Sequence, residues 1–487
     1  MVPQRKTNCS GFCNDMNISV NIDKIKLALV TLFPVVICYI IGTFVASSVC
    51  ETVLMMELFA LLLYVEYKNL LFVAKYLLPL FQVLSFCLGC IVCNHSEIYL
   101  YELRIWSGYN GSLNLALVFT IVFVLFLFLF DKDSVKVNGI KEPETCFSKQ
   151  IISQITLFLM CLYLCYLMIV CLKNPFWNNG MDRFEYAATF LSQIDLKILT
   201  YLLYFGVPLG LCIYLFKRDK LYNKMMLLIF VMLYCGVMFC IGNKFGAFFL
   251  VISIILIGVC SENWMVSIKN KRMFVLTMSI LFLSLSCVYF SHSLVVNNFA
   301  IGKVLDGLNS RIAQQGQLWW RSYELQKEEK VKLEELSDEL LPVMNPYKDF
   351  NQLKMTYSFG IYKIMDLCAP RDVVERKLES GSRYAWSTLS SVFYYFGTLG
   401  VVLFAALSPL LFILVTNGII KHLHAGLFVE SGILVMLFCK LNTAFSQSDA
   451  FILLSPVSIL SYIILIGCIC FRSSFFSINH CRLMQAV

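Results

Sequence analysis

The sequence predicts an all-α polytopic integral membrane protein with about 12 transmembrane helices and one large, partly helical loop. Two observations indicate this fold class. The chain of 487 residues is 59% hydrophobic with a mean hydropathy of +0.75, which is too apolar for an ordinary water-soluble protein. Its apolar runs are also close to 20 residues long, and this length fits membrane-spanning helices better than barrel strands of about 10 residues.

Twelve apolar runs define the predicted spans, and one polar segment interrupts them late in the chain. The spans cover residues 27–47, 49–65, 70–93, 113–130, 151–171, 198–216, 225–242, 245–260, 274–290, 393–416, 429–446 and 450–470. The polar segment, residues 291–391, carries 13 Lys and Arg and 13 Asp and Glu. The chain therefore divides into a transmembrane region 1–290, a large loop 291–391 and a second transmembrane region 392–487.

The distribution of positive charge predicts the orientation of the spans. If the N-terminus lies inside, the inner segments hold 19 Lys and Arg and the short outer loops hold 5. Because cytoplasmic loops are rich in Lys and Arg, we expect both termini inside and the loop 291–391 outside, which in a Gram-negative cell is the periplasm. The same distribution accounts for the net charge of +8 without a nucleic-acid partner.

Several kinds of chemistry have no motif in this sequence. It contains no phosphate-binding loop, no nucleophile elbow and no His-Glu-x-x-His pattern, which disfavours ATP-driven transport and the common hydrolase mechanisms. Cys87 and Cys90 have a CxxC spacing, but no second pair completes a zinc site. We therefore expect no metal and no cofactor. Glu57 and Lys75 lie in the second and third spans near the inner side, where they can form a structural pair.

Three short segments at the predicted outer face resemble the Wzy-type O-antigen polymerases. They are residues 183–186, 242–245 and 311–320, and the layout of apolar helices with a late outer loop is similar as well. The resemblance implies a metal-independent glycosyltransferase of lipopolysaccharide biosynthesis. It would move a growing glycan from undecaprenyl pyrophosphate onto the next lipid-linked repeat unit, at the periplasmic face of the bacterial inner membrane. The partners that it implies are the lipid-linked donor and acceptor glycans, membrane lipid, a chain-length regulator protein and a flippase.

Such a reaction places three demands on the outer face, one of which is an apolar groove, open to lipid, for the prenyl chain. Departure of pyrophosphate requires fixed cations, for which the planar guanidinium of arginine is well suited, and the acceptor hydroxyl can use a base. The predicted catalytic residues are Arg311, Arg183, Lys244 and His292, with Glu185, Asp182, Glu97 and Asp449 as alternative bases. The predicted substrate-binding residues are Gln314, Gln315, Trp319, Trp320, Arg321, Arg371, Arg383, Tyr186 and Lys440.

The reasons for these choices differ from residue to residue. On a helix, Arg311 shares its surroundings with Gln314 and Gln315, and the rings of Trp319 and Trp320 can either stack on sugar faces or lie at the membrane interface. Lys244 is a charge at the end of an apolar hairpin, where it is either functional or reaches out to the interface. Lys440 belongs to an unusually polar part of span eleven, which suggests the wall of a water-filled cavity.

Two other functions remain open from the sequence. A lipid-linked oligosaccharide flippase or another secondary transporter would share the helix count and would use polar residues within the membrane. An O-antigen ligase would use the same kind of donor with a lipid A-core acceptor. We would expect a prominent histidine in the large loop of a ligase, whereas this loop has only His292, at its edge.

Overall fold

The computed structural model describes residues 22–42, 47–131, 147–176, 183–216, 221–242, 246–259, 301–326, 332–335, 360–379, 384–446 and 453–468. Eight helices within these ranges are long and apolar enough to cross a membrane. The protein is therefore an α-helical membrane protein. The predicted span 274–290 lies outside the described residues.

The chain before the large loop forms a series of helices and one short hairpin. They are α1 Ile22–Gly42, α2 Ser47–Lys68, α3 Leu70–Lys75, α4 Leu77–His95, α5 Ser112–Phe130, α6 Phe147–Lys173, α7 Arg183–Phe190, α8 Gln193–Tyr201, a π-helical segment Leu202–Gly206, α9 Val207–Phe216, α10 Leu221–Cys240 and α11 Gly246–Val259. Strands β1 Tyr99–Leu100 and β2 Ile105–Trp106 pair antiparallel between α4 and α5, with Tyr99 opposite Trp106.

The remaining elements belong to the large loop and to the helices after it. They are α12 Ile301–Ala313, α13 Gln317–Gln326, a 3₁₀ turn Leu333–Glu335, α14 Gly360–Cys368, α15 Arg371–Glu379, α16 Ser387–His424 and α17 Phe428–Ser446. A shorter apolar helix, α18 Pro456–Cys468, follows. The predicted spans 245–260 and 450–470 correspond to α11 and α18, both of which are shorter than a typical membrane-spanning helix.

Helix α5 lies at the centre of the bundle. Its 19 residues are apolar almost throughout and most of them are buried, and it packs against α2, α4 and α16. The rings of Phe119 and Phe123 contact those of Phe404, Phe412 and Phe445 on α16 and α17. On the outward faces of the surrounding helices, large apolar side chains such as Phe59, Phe158 and Leu403 are exposed. An apolar surface of this kind fits contact with lipid.

The predicted span 70–93 consists of two helices joined at Tyr76. The Lys75 Nζ donates to Asp131 Oδ1 at 2.5 Å, the Tyr76 hydroxyl donates to the same oxygen at 2.8 Å, and Lys24 donates to the Asp131 carbonyl at 2.9 Å. Lys75 therefore pairs with the residue that ends α5, and not with Glu57. We call this region, which is defined by Lys24, Lys75, Tyr76 and Asp131, the lysine end of the bundle.

The opposite end of the bundle, which we call the loop end, carries the β1–β2 hairpin and the described parts of segment 291–391. Helices α12 and α13 pack on α4, and α13 and α14 pack on α16. The turn 314–316 lies directly on α4. A Cβ added to Gly89 would come within 2.5 Å of the Gly316 nitrogen, and one added to Gly316 would come within 2.5 Å of the Cys90 nitrogen. This backbone contact, the glycine seat, therefore requires glycine on both sides.

Helix α16 begins inside the bundle and is interrupted near its start. Gly397 has φ 62° and ψ −157°, in a region of φ that favours glycine. The ring of Trp386, just before α16, contacts Phe119, which lies about 10 Å along α5 from Ser112 at about 1.5 Å per residue. The Trp386 amide donates to the Ser446 carbonyl, and the Thr388 hydroxyl donates to the Ala444 carbonyl at 2.5 Å. The start of α16 therefore caps the end of α17.

Substitution of Gly89 tests the glycine seat. We expect Gly89→Ala to force the turn 314–316 away from α4, at a cost of about 1–3 kcal/mol for overpacking. The change should appear as a lower Tm in detergent and as faster proteolysis between α12 and α13. Gly307→Ala in α12 is the matched control, because nothing lies within 4 Å of its added Cβ and alanine favours a helix. Equal Tm values for Gly89→Ala and the wild type would contradict the contact.

Substitution of Asp131 tests the pair at the lysine end. Both partners are 4% exposed, so Asp131→Asn leaves the Lys75 ammonium buried without a counter-charge, and we expect a loss of about 3–5 kcal/mol in stability. The double variant Lys75→Met/Asp131→Asn removes the unpaired charge and should recover much of that loss. Thermal unfolding of the two variants gives the comparison. The buried pair would be excluded as the cause if the single variant were no less stable than the double one.

Candidate functional site

Two tryptophans attach the large loop to the bundle at the loop end. Trp319 is fully buried and its Nε1 donates to the Ser112 carbonyl at 3.1 Å, while Trp320 is 3% exposed and its Nε1 donates to the Gly108 carbonyl at 2.7 Å. The Trp319 ring also contacts Phe86 and Phe393. Because protein covers both rings, neither presents a face on which a sugar can stack in this arrangement. They act here as anchors for α13.

The carboxylate of Glu102, between the two hairpin strands, joins several parts of the loop. The buried Gln317 amide donates to Glu102 Oε2, and Lys377 of α15 donates to Oε1 at 2.9 Å. The Tyr384 hydroxyl donates to the Glu102 carbonyl at 3.1 Å, and the Lys377 ammonium lies 4.4 Å from the centroid of the Tyr384 ring. The hairpin therefore holds α13, α15 and the segment before α16 in fixed relative positions.

A second polar contact fixes the 3₁₀ turn to α14 and α16. Lys363 donates to Glu335 Oε2, and the Tyr394 hydroxyl donates to the same oxygen at 2.9 Å. The hydrogen bond from Lys363 is the main reason that the pKa of Glu335 lies below its ordinary value.

On the buried face of α14, burial raises the pKa of the Cys368 thiol to about 12. That thiol is therefore protonated at neutral pH and is a poor nucleophile.

Arg311 differs from the other arginines of the loop end whose side chains the structure describes. It is exposed at the end of α12, and its Nη1 donates to the Gln314 Oε1, a neutral acceptor, at 3.1 Å. No carboxylate in the described ranges pairs with it. The other arginines each pair with an acidic residue: Arg104 and Arg376 with Asp372, Arg321 with Glu324, and Arg371 with Glu375. Within the described ranges, the positive charge of Arg311 thus has a neutral acceptor and no carboxylate partner.

The other residues that the sequence predicts for the site are not gathered around Arg311. Gln314 and Gln315 are partly buried next to the glycine seat. Tyr186 is buried on α7 and donates to the Asn174 carbonyl at 2.6 Å. Lys440 of α17 donates to the hydroxyl of Ser458 in α18 at 2.9 Å and to that of Ser455, just before α18, at 3.4 Å. Lys244, His292, Arg383, Asp182 and Asp449 lie outside the described residues, and the side chains of Arg183 and Glu185 are not described.

The structure also brings together a carboxylate and an imidazole that sequence reasoning missed. Glu51, near the start of α2, is 1% exposed, and its Oε2 lies 3.4 Å from Nε2 of His95 at the end of α4. The Tyr109 hydroxyl faces Glu51, and burial together with the charge of that carboxylate raises the pKa of Tyr109 to about 12. One signal was visible in the sequence, since an acidic residue within an apolar span is rare and often functional.

Comparison with known proteins gives one match. The model of a family of unknown function, DUF6418, matches residues 354–463. This stretch begins before α14 and continues through α15, α16 and α17 into α18, so that the end of the large loop and the helices that hold it are matched together. No curated protein matches the chain, and no solved structure matches it.

Proposed function

We propose that the protein is an O-antigen polymerase, a glycosyltransferase that joins undecaprenyl-pyrophosphate-linked oligosaccharide repeat units. The observation that carries this proposal is the guanidinium of Arg311, which has no carboxylate partner among the described residues, on a loop that is anchored to a membrane bundle. In the reaction, the acceptor hydroxyl forms a glycosidic bond with the anomeric carbon of the donor glycan. The bond from that carbon to pyrophosphate breaks, and lipid pyrophosphate leaves.

The position of Arg311 suits stabilisation of the leaving group. Negative charge develops on the pyrophosphate as the bond breaks, and a guanidinium can offer two parallel N–H donors to it. The glycine seat and the two buried tryptophans hold the end of α12, so a cation there needs little reorganisation during the reaction. Leu88 of α4, next to Gly89, is exposed. An exposed apolar side chain therefore lies beside the seat, and we expect the prenyl chain to remain in the bilayer there.

The proposed topology has 12 spans, with the loop end in the periplasm and the lysine end in the cytoplasm. In this arrangement Trp319 and Trp320 hold the site, and Arg311 contacts the pyrophosphate. Arg321 and Arg371 already have carboxylate partners. Their charges are partly compensated, and we assign them no direct role in pyrophosphate binding.

Reporter fusions test the topology. We expect a reporter that is active only in the periplasm to work when fused after residue 340 and to fail when fused after residue 220, because of the asymmetry in loop charge. A reporter that is active only in the cytoplasm should give the opposite pattern. Periplasmic activity at residue 220 would rule out a periplasmic reaction at the loop end.

Complementation of a gene deletion tests both the reaction and Arg311. Loss of a polymerase leaves core plus one repeat unit on lipopolysaccharide gels, loss of a flippase leaves core alone, and loss of a ligase leaves polymer that is not attached to core. We expect the first pattern after deletion and also after complementation with Arg311→Ala. Loss of a charge-assisted hydrogen bond of about 1.5–3 kcal/mol should lower the rate about 10- to 150-fold. Arg311→Lys should restore the ladder in part.

The matched control is Arg376→Ala, which removes an exposed arginine that already pairs with Asp372. It should give a normal ladder at normal protein level. A normal ladder with Arg311→Ala would make Arg311 an ordinary surface residue. A deletion strain with core alone, or with unattached polymer, would replace the polymerase with a flippase or a ligase.

A further inference from the structure

Arg311 cannot itself act as the base of the reaction, and the structure places His95 and Glu51 together at the loop end of the bundle. The His95 side chain is 44% exposed, whereas that of Glu51 is 1% exposed. One nitrogen of the imidazole, Nε2, lies 3.4 Å from the carboxylate, which leaves the other nitrogen for a different partner. A half-exposed imidazole in front of a buried carboxylate is an arrangement that can accept a proton from a substrate.

The burial of Glu51 is difficult to explain by packing alone. A charged carboxylate that is removed from water costs several kcal/mol unless good hydrogen bonds compensate for it. The described polar groups that face the Glu51 carboxylate are the His95 imidazole and the Tyr109 hydroxyl. An apolar residue would fill the same position on α2 at lower cost. The carboxylate is therefore better explained by an effect on its imidazole neighbour.

The groups around this pair fix its position relative to the large loop. Tyr109 faces Glu51 from the segment after the hairpin, and Tyr323 of α13 lies close to Tyr109. The Asn94 amide, next to His95 on α4, donates to the Ser112 hydroxyl at 3.0 Å. The Asn110 amide donates to the Trp320 carbonyl at 2.9 Å. These hydrogen bonds join the end of α4 to the start of α5, and the segment before α5 to the docked loop.

We propose that His95 is the general base that accepts the proton of the acceptor hydroxyl, and that Glu51 is its positioning residue. This inference rests on the proposed polymerase activity. As the acceptor oxygen forms its bond to the anomeric carbon of the donor, its proton moves to the free nitrogen of His95. The electron pair of the broken bond leaves with the lipid pyrophosphate. The proton then passes from the exposed imidazole to water, and the charge of Glu51 stabilises the imidazolium in between.

Chemical rescue separates this role from a structural one. The assay uses membrane vesicles with the full-length protein and lipid-linked repeat units extracted from the deletion strain. We expect His95→Ala to lower turnover about 10²- to 10⁴-fold, the usual contribution of a general base, with KM unchanged. Added imidazole should restore part of the turnover. His422→Ala is the control, because His422 lies in the last turn of α16 and binds the Gly418 carbonyl. It should retain full turnover with no response to imidazole.

Variants of Glu51 test the positioning role without removing the base. Glu51→Gln keeps the shape but loses the charge, so turnover should fall about 10- to 100-fold at unchanged KM. Glu51→Asp should retain more turnover than Glu51→Gln. If His95→Ala does not accumulate, His95→Gln replaces it. Low turnover at wild-type KM then supports the base.

The outcomes distinguish this inference from the proposed function. Two results would overturn the base while the deletion still gave core plus one repeat unit. One is a wild-type rate in His95→Ala. The other is a loss of turnover in His95→Ala that imidazole does not restore, together with a wild-type rate in Glu51→Gln. A deletion strain without that pattern would instead overturn the polymerase itself.

Discussion

The close approach of two backbones at Gly89 and Gly316 is the contact on which the loop end depends. Lipid gives helices little hydrophobic reason to associate, so contacts of this kind rely on small residues and close packing. With no side chain between them, α4 and the turn 314–316 touch directly. The indoles of Trp319 and Trp320 then reach the carbonyls of the segment before α5. The placement of Arg311 follows from this contact, as does that of Tyr323 beside Tyr109.

The two ends of the bundle differ in how their described charged groups are paired. At the lysine end, Lys75 and Asp131 are both buried, and Tyr76 and Lys24 complete the hydrogen bonds of Asp131. Such a pair is internally compensated and gives little to a ligand. At the loop end, Arg311 has only an amide acceptor in the described structure. Glu51 faces an imidazole that water can reach.

The sequence predicted features that depend on composition and missed those that depend on distant partners. The span 113–130 agrees with α5, Ser112–Phe130, because the ends of one continuous apolar run define the ends of the helix. The break at Tyr76 was not visible, since it accompanies a pair with Asp131, which is 55 residues later in the chain. The pair of Glu51 and His95 was not visible for the same reason, because the two residues belong to different helices. For Trp319, the sequence allowed stacking on a sugar or a place at the membrane interface, and only the folded structure shows that protein covers the ring.

The cap that Trp386 and Thr388 place on the end of α17 restricts how the protein can be assembled. The capping segment is synthesised before the helix that it caps, so its donors must wait for the carbonyls of Ala444 and Ser446. Until α17 has inserted, the Trp386 amide has no acceptor within an apolar setting, which is costly. The segment that joins the large loop to α16 therefore reaches its final hydrogen bonding only after α17 has been made.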